Sequence, residues 1–288
     1  MTRFDYVRPS TVAEAVGLLE AHGDDALAIA GGTATVLLLQ KRMLRPELVV
    51  DLGGLPGLTG VEQNGGGLRI GALTPIRAIE RDAIVRGTHH LLAEAASQVA
   101  GVRVRNAATV GGSVCFGEPQ TDLPPALLAM NATATIAGSQ GSRDVPLEEF
   151  FLGPYETARE QGEVLTHLSV PTPVPGSGGC HVKFTMGSPE NKPVANVSAL
   201  VTVDASTRAL ADVRIVMGAV GGVPMLAHKA NDTLKGERPS DALIAQAAVR
   251  ASEEADPVED LRGSVWYKRR IIKVLVERAL RCAIERAN

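Results

Sequence analysis

The amino-acid sequence predicts a mixed α+β fold for a chain of 288 residues. Three observations support this fold class. Short apolar runs alternate with helix-like segments over residues 1–55, a stretch rich in Pro, Gly and Ser follows Pro171, and two alternating strands precede three helical segments at the end. We therefore expect three units, at residues 1–55, 56–173 and 178–288.

The first unit has the pattern of a small β-α-β-α-β fold. "FDYVRP" is a short strand, and Ser10 or Thr11 is the expected N-cap of a helix that ends at Gly23, with Glu14 near the capping-box position. "ALAIA" and "ELVVDL" are short apolar runs typical of buried strands, and "ATVLLLQKR" between them is predicted as a helix.

The second and third units differ in their strand patterns. Residues 56–173 combine glycine-rich turns, short strands such as "LRIGAL" and several helices, and the strand "EVLTHLSVP" closes this unit. In the third unit, "NVSALVTVD" and "DVRIVMGAV" alternate as antiparallel strands do. Helices are predicted over residues 224–236, 240–255 and 264–286.

Composition excludes several function classes. Net charge is -3, aromatic residues make up 3% of the chain, and no long basic run is present, so we expect neither nucleic acid nor an anionic membrane surface as the main partner. No apolar stretch reaches transmembrane length and none at the N-terminus is of signal-peptide type, which predicts a cytoplasmic protein. Cys115, Cys180 and Cys282 lie far apart, so this chain is not expected to hold zinc or an iron–sulfur cluster.

Two glycine pairs are candidates for phosphate binding. The first lies in "IAGGTAT" between a predicted strand and helix, and the second lies in "TVGGS". Glycine permits left-handed backbone angles, successive N–H groups can then converge on one oxyanion, and a helix N-terminus favours a phosphate. Neither pair matches the GxGxxG or P-loop pattern, and a tight strand-to-helix connection is the alternative for each.

Asp122 is the second candidate for ligand binding. It follows the second glycine pair by ten residues and precedes Pro124 and Pro125. A carboxylate at this point can accept hydrogen bonds from ribose hydroxyls, as the acidic residue of other dinucleotide sites does. The alternative is that Asp122 caps the helix that follows. The two roles are compatible.

Three segments, taken together and in order, resemble one protein family. They are "AGGTAT", "VRNAATVGGSVCFGEPQTDLPPALLAM" and "DLRGSVWYKRRIIKVLVERAL", and they resemble the FAD-binding medium subunits of molybdenum hydroxylases such as carbon monoxide dehydrogenase and xanthine dehydrogenase. The resemblance implies a two-subdomain FAD-binding fold of the vanillyl-alcohol oxidase (PCMH) type. It also implies a C-terminal domain with a three-stranded antiparallel sheet and a helical bundle.

The resemblance also implies which residues bind FAD. Asp122 is expected at the adenosine ribose, Leu165 against the flavin and Lys183 near the isoalloxazine. The residues expected around the pyrophosphate belong to the two glycine turns: Ala30, Gly31, Gly32, Thr33, Ala34 and Thr35, together with Thr109, Val110, Gly111, Gly112 and Ser113.

The chain departs from the family pattern at two places. Ser113 stands where the family usually has asparagine, and a hydroxyl offers fewer hydrogen bonds than an amide. The family's Tyr-x-Lys-x-x-x-Arg is replaced by residues 181–187, which begin at His181 and lack both the tyrosine and the arginine. We expect His181 to be structural. These departures leave the reactivity of the flavin and the electron acceptor open.

The resemblance implies an electron-transfer role within a larger enzyme. A large molybdopterin subunit and a small subunit with two [2Fe-2S] clusters are the expected partners, in a dimer of heterotrimers, and NAD, O₂ or a quinone is the expected acceptor. No cysteine-bearing insertion for a [4Fe-4S] cluster is present, which argues against the benzoyl-CoA-reductase branch. Two alternatives stay open: a self-contained flavin oxidase or reductase of the same fold, and an assembly protein without FAD.

Overall fold

The computed structural model describes residues 3–287. The first part of the chain is a three-stranded parallel sheet in the order β1-β3-β2, which confirms the predicted β-α-β-α-β order. Thr11 caps the first helix by accepting a hydrogen bond from the Glu14 N–H at 3.1 Å, and Gly23, with φ +53°, ends it. The elements are β1 (Asp5–Val7), α1 (Val12–His22), β2 (Ala26–Ile29), α2 (Thr35–Gln40) and β3 (Leu48–Asp51).

The middle of the chain is a five-stranded antiparallel sheet in the order β4-β5-β10-β6-β7, with helices packed on it. Asp82 caps α4 and so divides the helical stretch that follows Pro75 into two. The elements are β4 (Val61–Asn64), β5 (Gly67–Gly71), α3 (Ile76–Arg81), α4 (Ala83–Thr88), α5 (His90–Gln98), α6 (Val102–Ala107), α7 (Val110–Phe116), α8 (Leu123–Ala129), β6 (Thr133–Gly138), β7 (Gly141–Pro146), α9 (Leu147–Phe150), β8 (Phe151–Gly153), β9 (Glu156–Thr157) and β10 (Val164–Pro171).

The last part of the chain is an antiparallel sheet covered by helices. Its three long strands agree with the expected sheet, and a two-residue fourth strand, β14, extends it. Because β14 occupies part of the helix predicted over residues 224–236, that helix begins only at His228. The elements are β11 (Ser177–Phe184), β12 (Ala195–Val203), β13 (Leu210–Gly218), β14 (Met225–Leu226), α10 (His228–Leu234), α11 (Asp241–Glu254) and α12 (Val265–Ala287).

Strand β12 shows how the C-terminal sheet joins the middle of the chain. Val197 and Ala199 belong to a core shared with α11 and α12, whereas Leu200 packs against the core that contains α5 and α8. Side chains alternate between the two faces of a strand, so Asn196 and Ser198 share the face of Leu200. Both polar residues are therefore directed at the helices of the middle region, where Asp122 lies.

Candidate functional site

The first glycine turn, residues 30–34, connects β2 to α2. Gly32 has φ +66°, a left-handed conformation that side chains rarely adopt. The backbone N–H groups of Gly31, Gly32, Thr33 and Ala34 donate no hydrogen bond to any other residue within 3–287. The hydroxyls of Thr33 and Thr35 likewise bond to no described residue. The turn therefore presents a set of donors that the protein itself leaves unpaired.

The second glycine turn, residues 109–113, leads into α7 and has the opposite character. Each of its last four backbone N–H groups donates to a protein acceptor. The bonds run from Val110 to the Thr74 carbonyl at 3.0 Å, from Gly111 to the Ala72 carbonyl at 2.8 Å, from Gly112 to Thr109 Oγ1 at 3.0 Å and from Ser113 to the Thr109 carbonyl at 3.0 Å. The amides of this turn are thus already used by the fold.

The structure brings the first turn into direct contact with the segment just before the second turn. A Cβ atom on Gly31 would lie 1.9 Å from the carbonyl oxygen of Ala107, just before the second turn. A Cβ on Gly111 would lie 2.7 Å from the carbonyl oxygen of Ala72. Both glycines are therefore needed for close backbone packing, and the first turn packs against the segment that leads into the second.

Asp122 occupies the N-cap position of α8, but its side chain does not cap that helix. The residue is 4% exposed, and its carboxylate accepts hydrogen bonds from Lys183 Nζ at 2.8 Å and Asn196 Nδ2 at 2.9 Å. The capping alternative is therefore wrong for this side chain. The ribose contact stays a prediction, and it requires Asp122 to share its oxygens with these donors.

Lys183 lies in the same buried cluster as Asp122. Its ammonium group also donates to the Gln98 carbonyl at 2.8 Å, and its side chain is 4% exposed. The resemblance placed Asp122 at the ribose and Lys183 near the isoalloxazine, yet the two form an ion pair. The two assignments are compatible if FAD contacts both side chains, or if the ion pair breaks when FAD binds. Both assignments stay predictions.

His181 completes this cluster and is fully buried. Its Nδ1 atom lies 2.8 Å from Ser198 Oγ, and its Nε2 atom lies 3.7 Å from Asp122 Oδ1. Burial alone would raise the pKa of the Asp122 carboxyl, but His181 and Lys183 outweigh it and hold that pKa below its ordinary value of 3.8. Asp122 is therefore an anion at neutral pH, and the packing of His181 agrees with a structural role.

Leu165 lies in β10 and is 5% exposed. A register shift separates it from His167, and the carbonyl of Thr166 between them accepts a hydrogen bond from the Ala72 N–H at 2.9 Å. The Ala72 carbonyl in turn accepts a hydrogen bond from the Gly111 N–H, so the strand that contains Leu165 lies close to the second turn. Its side chain belongs to the central core, and contact with a flavin stays a prediction.

Asn196 and Ser198 are functional candidates that the sequence analysis did not identify. Across the β11–β12 pair, Lys183 is opposite Asn196 and His181 is opposite Ser198, so four polar residues share one buried face. The available signal was two polar residues spaced two apart within the apolar strand "ANVSALVTV". Such a pattern indicates a polar cluster inside a core, because buried polar groups need partners.

Cys115 belongs to α7 but has no reactive character. Burial raises the pKa of its thiol to about 11, so the nucleophilic thiolate is not populated at neutral pH. Within residues 3–287 no group of three His, Cys, Asp or Glu side chains is arranged to hold a metal ion. No helix in the described part of the chain is long and apolar enough to cross a membrane.

The fold and the glycine turns define a class of protein, and comparison with known families agrees. Residues 2–173 match the family described as FAD binding domain in molybdopterin dehydrogenase, and residues 190–283 match the CO dehydrogenase flavoprotein C-terminal domain. The chain is thus a flavoprotein component of an oxidoreductase. More particularly, it belongs to the family of FAD-binding medium subunits of molybdenum hydroxylases.

Individual relatives span the whole chain. It is 33% identical to the carbon monoxide dehydrogenase medium chain of Hydrogenophaga pseudoflava, over 98% of this chain and 97% of that protein. It is also 33% identical to the 6-hydroxypseudooxynicotine dehydrogenase complex subunit alpha of Paenarthrobacter nicotinovorans, over 99% and 96%. The solved carbon monoxide dehydrogenase from H. pseudoflava superimposes with a TM-score of 0.96, over 99% of this chain and 98% of that one.

Proposed function

We propose that this chain is the FAD-carrying electron-transfer subunit of a heterotrimeric molybdenum hydroxylase. It would receive electrons from [2Fe-2S] clusters on a small partner subunit and pass them to an external acceptor, which is NAD, O₂ or a quinone. Family membership supports the FAD-binding role. The names of the relatives, a "medium chain" and a "complex subunit alpha", support assembly with other subunits.

The observation that carries the proposal is the first glycine turn. FAD carries a pyrophosphate, whose oxygens accept hydrogen bonds, and the unpaired N–H groups of residues 31–34 are matching donors. Thr33 and Thr35 would add hydroxyl donors beside them. When bound, FAD supplies both one-electron and two-electron chemistry. The residues present therefore fit this cofactor.

The second glycine turn would play a supporting part. Its amides tie the start of α7 to the segment that follows β5, and the first turn packs closely against Ala107 through Gly31. The hydroxyl of Ser113, which lies 3.4 Å from that of Thr121, is the group through which this turn would reach a ligand. The chain's own residues would thus bind and orient the cofactor, while chemistry on the organic substrate belongs to a partner.

The partners would be a large molybdopterin subunit, which oxidises the substrate, and the small iron–sulfur subunit, in a dimer of heterotrimers. One solved relative is described as lacking the Mo-pyranopterin moiety of its molybdenum cofactor, which supports such a partner for this chain. A cytoplasmic location stays part of this proposal.

The experiment is purification of the chain with and without co-expressed partners, followed by an absorbance spectrum and identification of the released cofactor. We expect about one FAD per chain and substrate oxidation only in the complex. Activity of the chain alone would show a self-contained flavin enzyme. A complex that carries molybdenum and iron but takes up no FAD would show a flavin-free assembly role.

A further inference from the structure

A groove of about 810 Å³ lies on the helices of the middle region. It is bounded by α3, α4 and α5 and by the end of α12, and no residue of either glycine turn lines it. Its volume is within the range of small-molecule sites, roughly 300–1,000 Å³. The charged residues of this arginine groove are Arg77, Glu80, Arg81, Arg86, Glu94 and Arg286.

The two glutamates of the arginine groove are fully engaged with the protein. Glu80 pairs with Arg77 and with Arg105, whose Nε atom lies 2.9 Å from it. Glu94 accepts two bonds from Arg286, at 3.0 and 3.1 Å, and a third from the His181 N–H at 2.8 Å. The negative charge in the groove is therefore already balanced by these partners.

Arg81 and Arg86 carry the positive charge that is left over. Both are exposed, and neither guanidinium group forms an ion pair or hydrogen bond with another residue of the described chain. Asp82, the acidic residue between them in sequence, uses its Oδ1 to accept the N–H groups of Ile84 and Val85 at 2.9 and 3.0 Å. Asp82 therefore caps α4, and it forms no ion pair with Arg81 or Arg86.

We propose that the arginine groove binds a small molecule that carries a diphosphate group. A guanidinium offers a planar fork of donors that matches phosphate oxygens, and two unpaired forks suit two linked phosphates. The site is separate from the proposed FAD cradle, which uses backbone N–H groups instead of arginine side chains. Nucleotides and inorganic pyrophosphate share this chemistry.

The test is calorimetric titration of the full-length, FAD-saturated protein with inorganic pyrophosphate and, separately, with ADP. The variant carries Arg81→Gln and Arg86→Gln. The matched control carries Arg250→Gln and Arg278→Gln, which remove the same charge from exposed positions on α11 and α12 outside the groove.

We expect wild type and control to bind at least one probe, and the groove variant to bind it about tenfold or more weakly, because two charge-assisted contacts are lost. Tighter binding of ADP would indicate a nucleotide, and equal binding would indicate a site for the phosphates alone. The proposal is overturned by absence of binding in wild type, by equal affinity of the groove variant and wild type, or by release of FAD in step with the heat signal.

Discussion

The two glycine turns read alike in sequence but differ in what their backbone does. In the first turn the N–H groups of residues 31–34 have no partner within the described chain, whereas in the second those of residues 110–113 are all paired. The first turn therefore has donors available for a ligand, whereas the donors of the second turn are used within the protein. A Gly-Gly pair therefore does not by itself indicate a phosphate site. The backbone N–H groups of the turn must also be free of partners within the protein.

The glycines themselves serve different ends. Gly31 and Gly111 are needed for close approach to neighbouring backbone, and Gly32 is needed for its positive φ. A Cβ on Gly112 would come within 2.9 Å of Thr109 Oγ1, the atom that caps α7. Substitutions at single positions of the two turns therefore separate a role in FAD binding from a role in packing.

The largest expected effect is on the buried cluster formed by Asp122, Lys183 and His181. Lys183→Met would leave the Asp122 carboxylate buried without its cation, and we expect a loss of about 3–5 kcal/mol in the free energy of unfolding. Urea unfolding at neutral pH measures it. The control is Lys192→Met, which breaks the half-exposed pair with Glu118 and should cost about 0–1 kcal/mol.

The stability that the Asp122 carboxylate contributes should be lost in acid. Because His181 and Lys183 lower the folded-state pKa of Asp122, its interactions with these two side chains stabilise the protein above the unfolded pKa, and this contribution disappears as pH falls through the folded value. If the Lys183→Met and Lys192→Met variants lose the same free energy of unfolding at neutral pH, the buried pair does not stabilise the protein more than the half-exposed one.

The next effect is on the contact of the first turn with Ala107. Gly31→Ala would place a Cβ 1.9 Å from the Ala107 oxygen, so we expect overpacking of about 1–3 kcal/mol and FAD affinity lower by about tenfold or more. Gly17→Ala is the control, since its Cβ meets nothing within 4 Å on the exposed side of α1. Flavin fluorescence titration and urea unfolding give the two values, and wild-type FAD affinity in the Gly31 variant would disprove the packing argument.

The smallest effect compares one threonine from each turn. Thr109→Ala removes the cap of α7 and should cost about 1 kcal/mol of stability. Thr33→Ala removes a hydroxyl that bonds to no described residue, so stability should change by less than about 0.5 kcal/mol while FAD binding weakens. Thermal unfolding and FAD titration of both variants check this. Weaker FAD binding in Thr109→Ala together with a stability loss in Thr33→Ala would contradict the roles assigned to the two turns.

Much of the fold was predictable because local signals agreed with it. The cap at Ser10 or Thr11, the stop at Gly23 and the apolar strands predicted the order of the first five elements correctly. The helix predicted over residues 224–236 was too long, because Met225 and Leu226 pair with β13, a long-range contact that no local pattern reveals.

The candidate site was only partly predictable for the same reason. The glycine pairs indicated two turns, but which amides remain unpaired depends on Ala72 and Thr74, which lie more than thirty residues away in sequence from the second turn. The pairing of Asp122 with Lys183 depends on the C-terminal sheet packing against α8 through β12 and β13, so neither capping nor ribose binding could be decided from spacing alone.

The central claim is that the first turn supplies the amide donors for FAD and the second does not. Hydrogen exchange of residues 31–34 and 110–113, measured by mass spectrometry with and without FAD, tests it most directly. We expect fast exchange in the first turn that slows strongly when FAD binds, and slow exchange in the second turn in both states. An unprotected first turn in the FAD-bound protein, or protection gained mainly by the second turn, would contradict the claim.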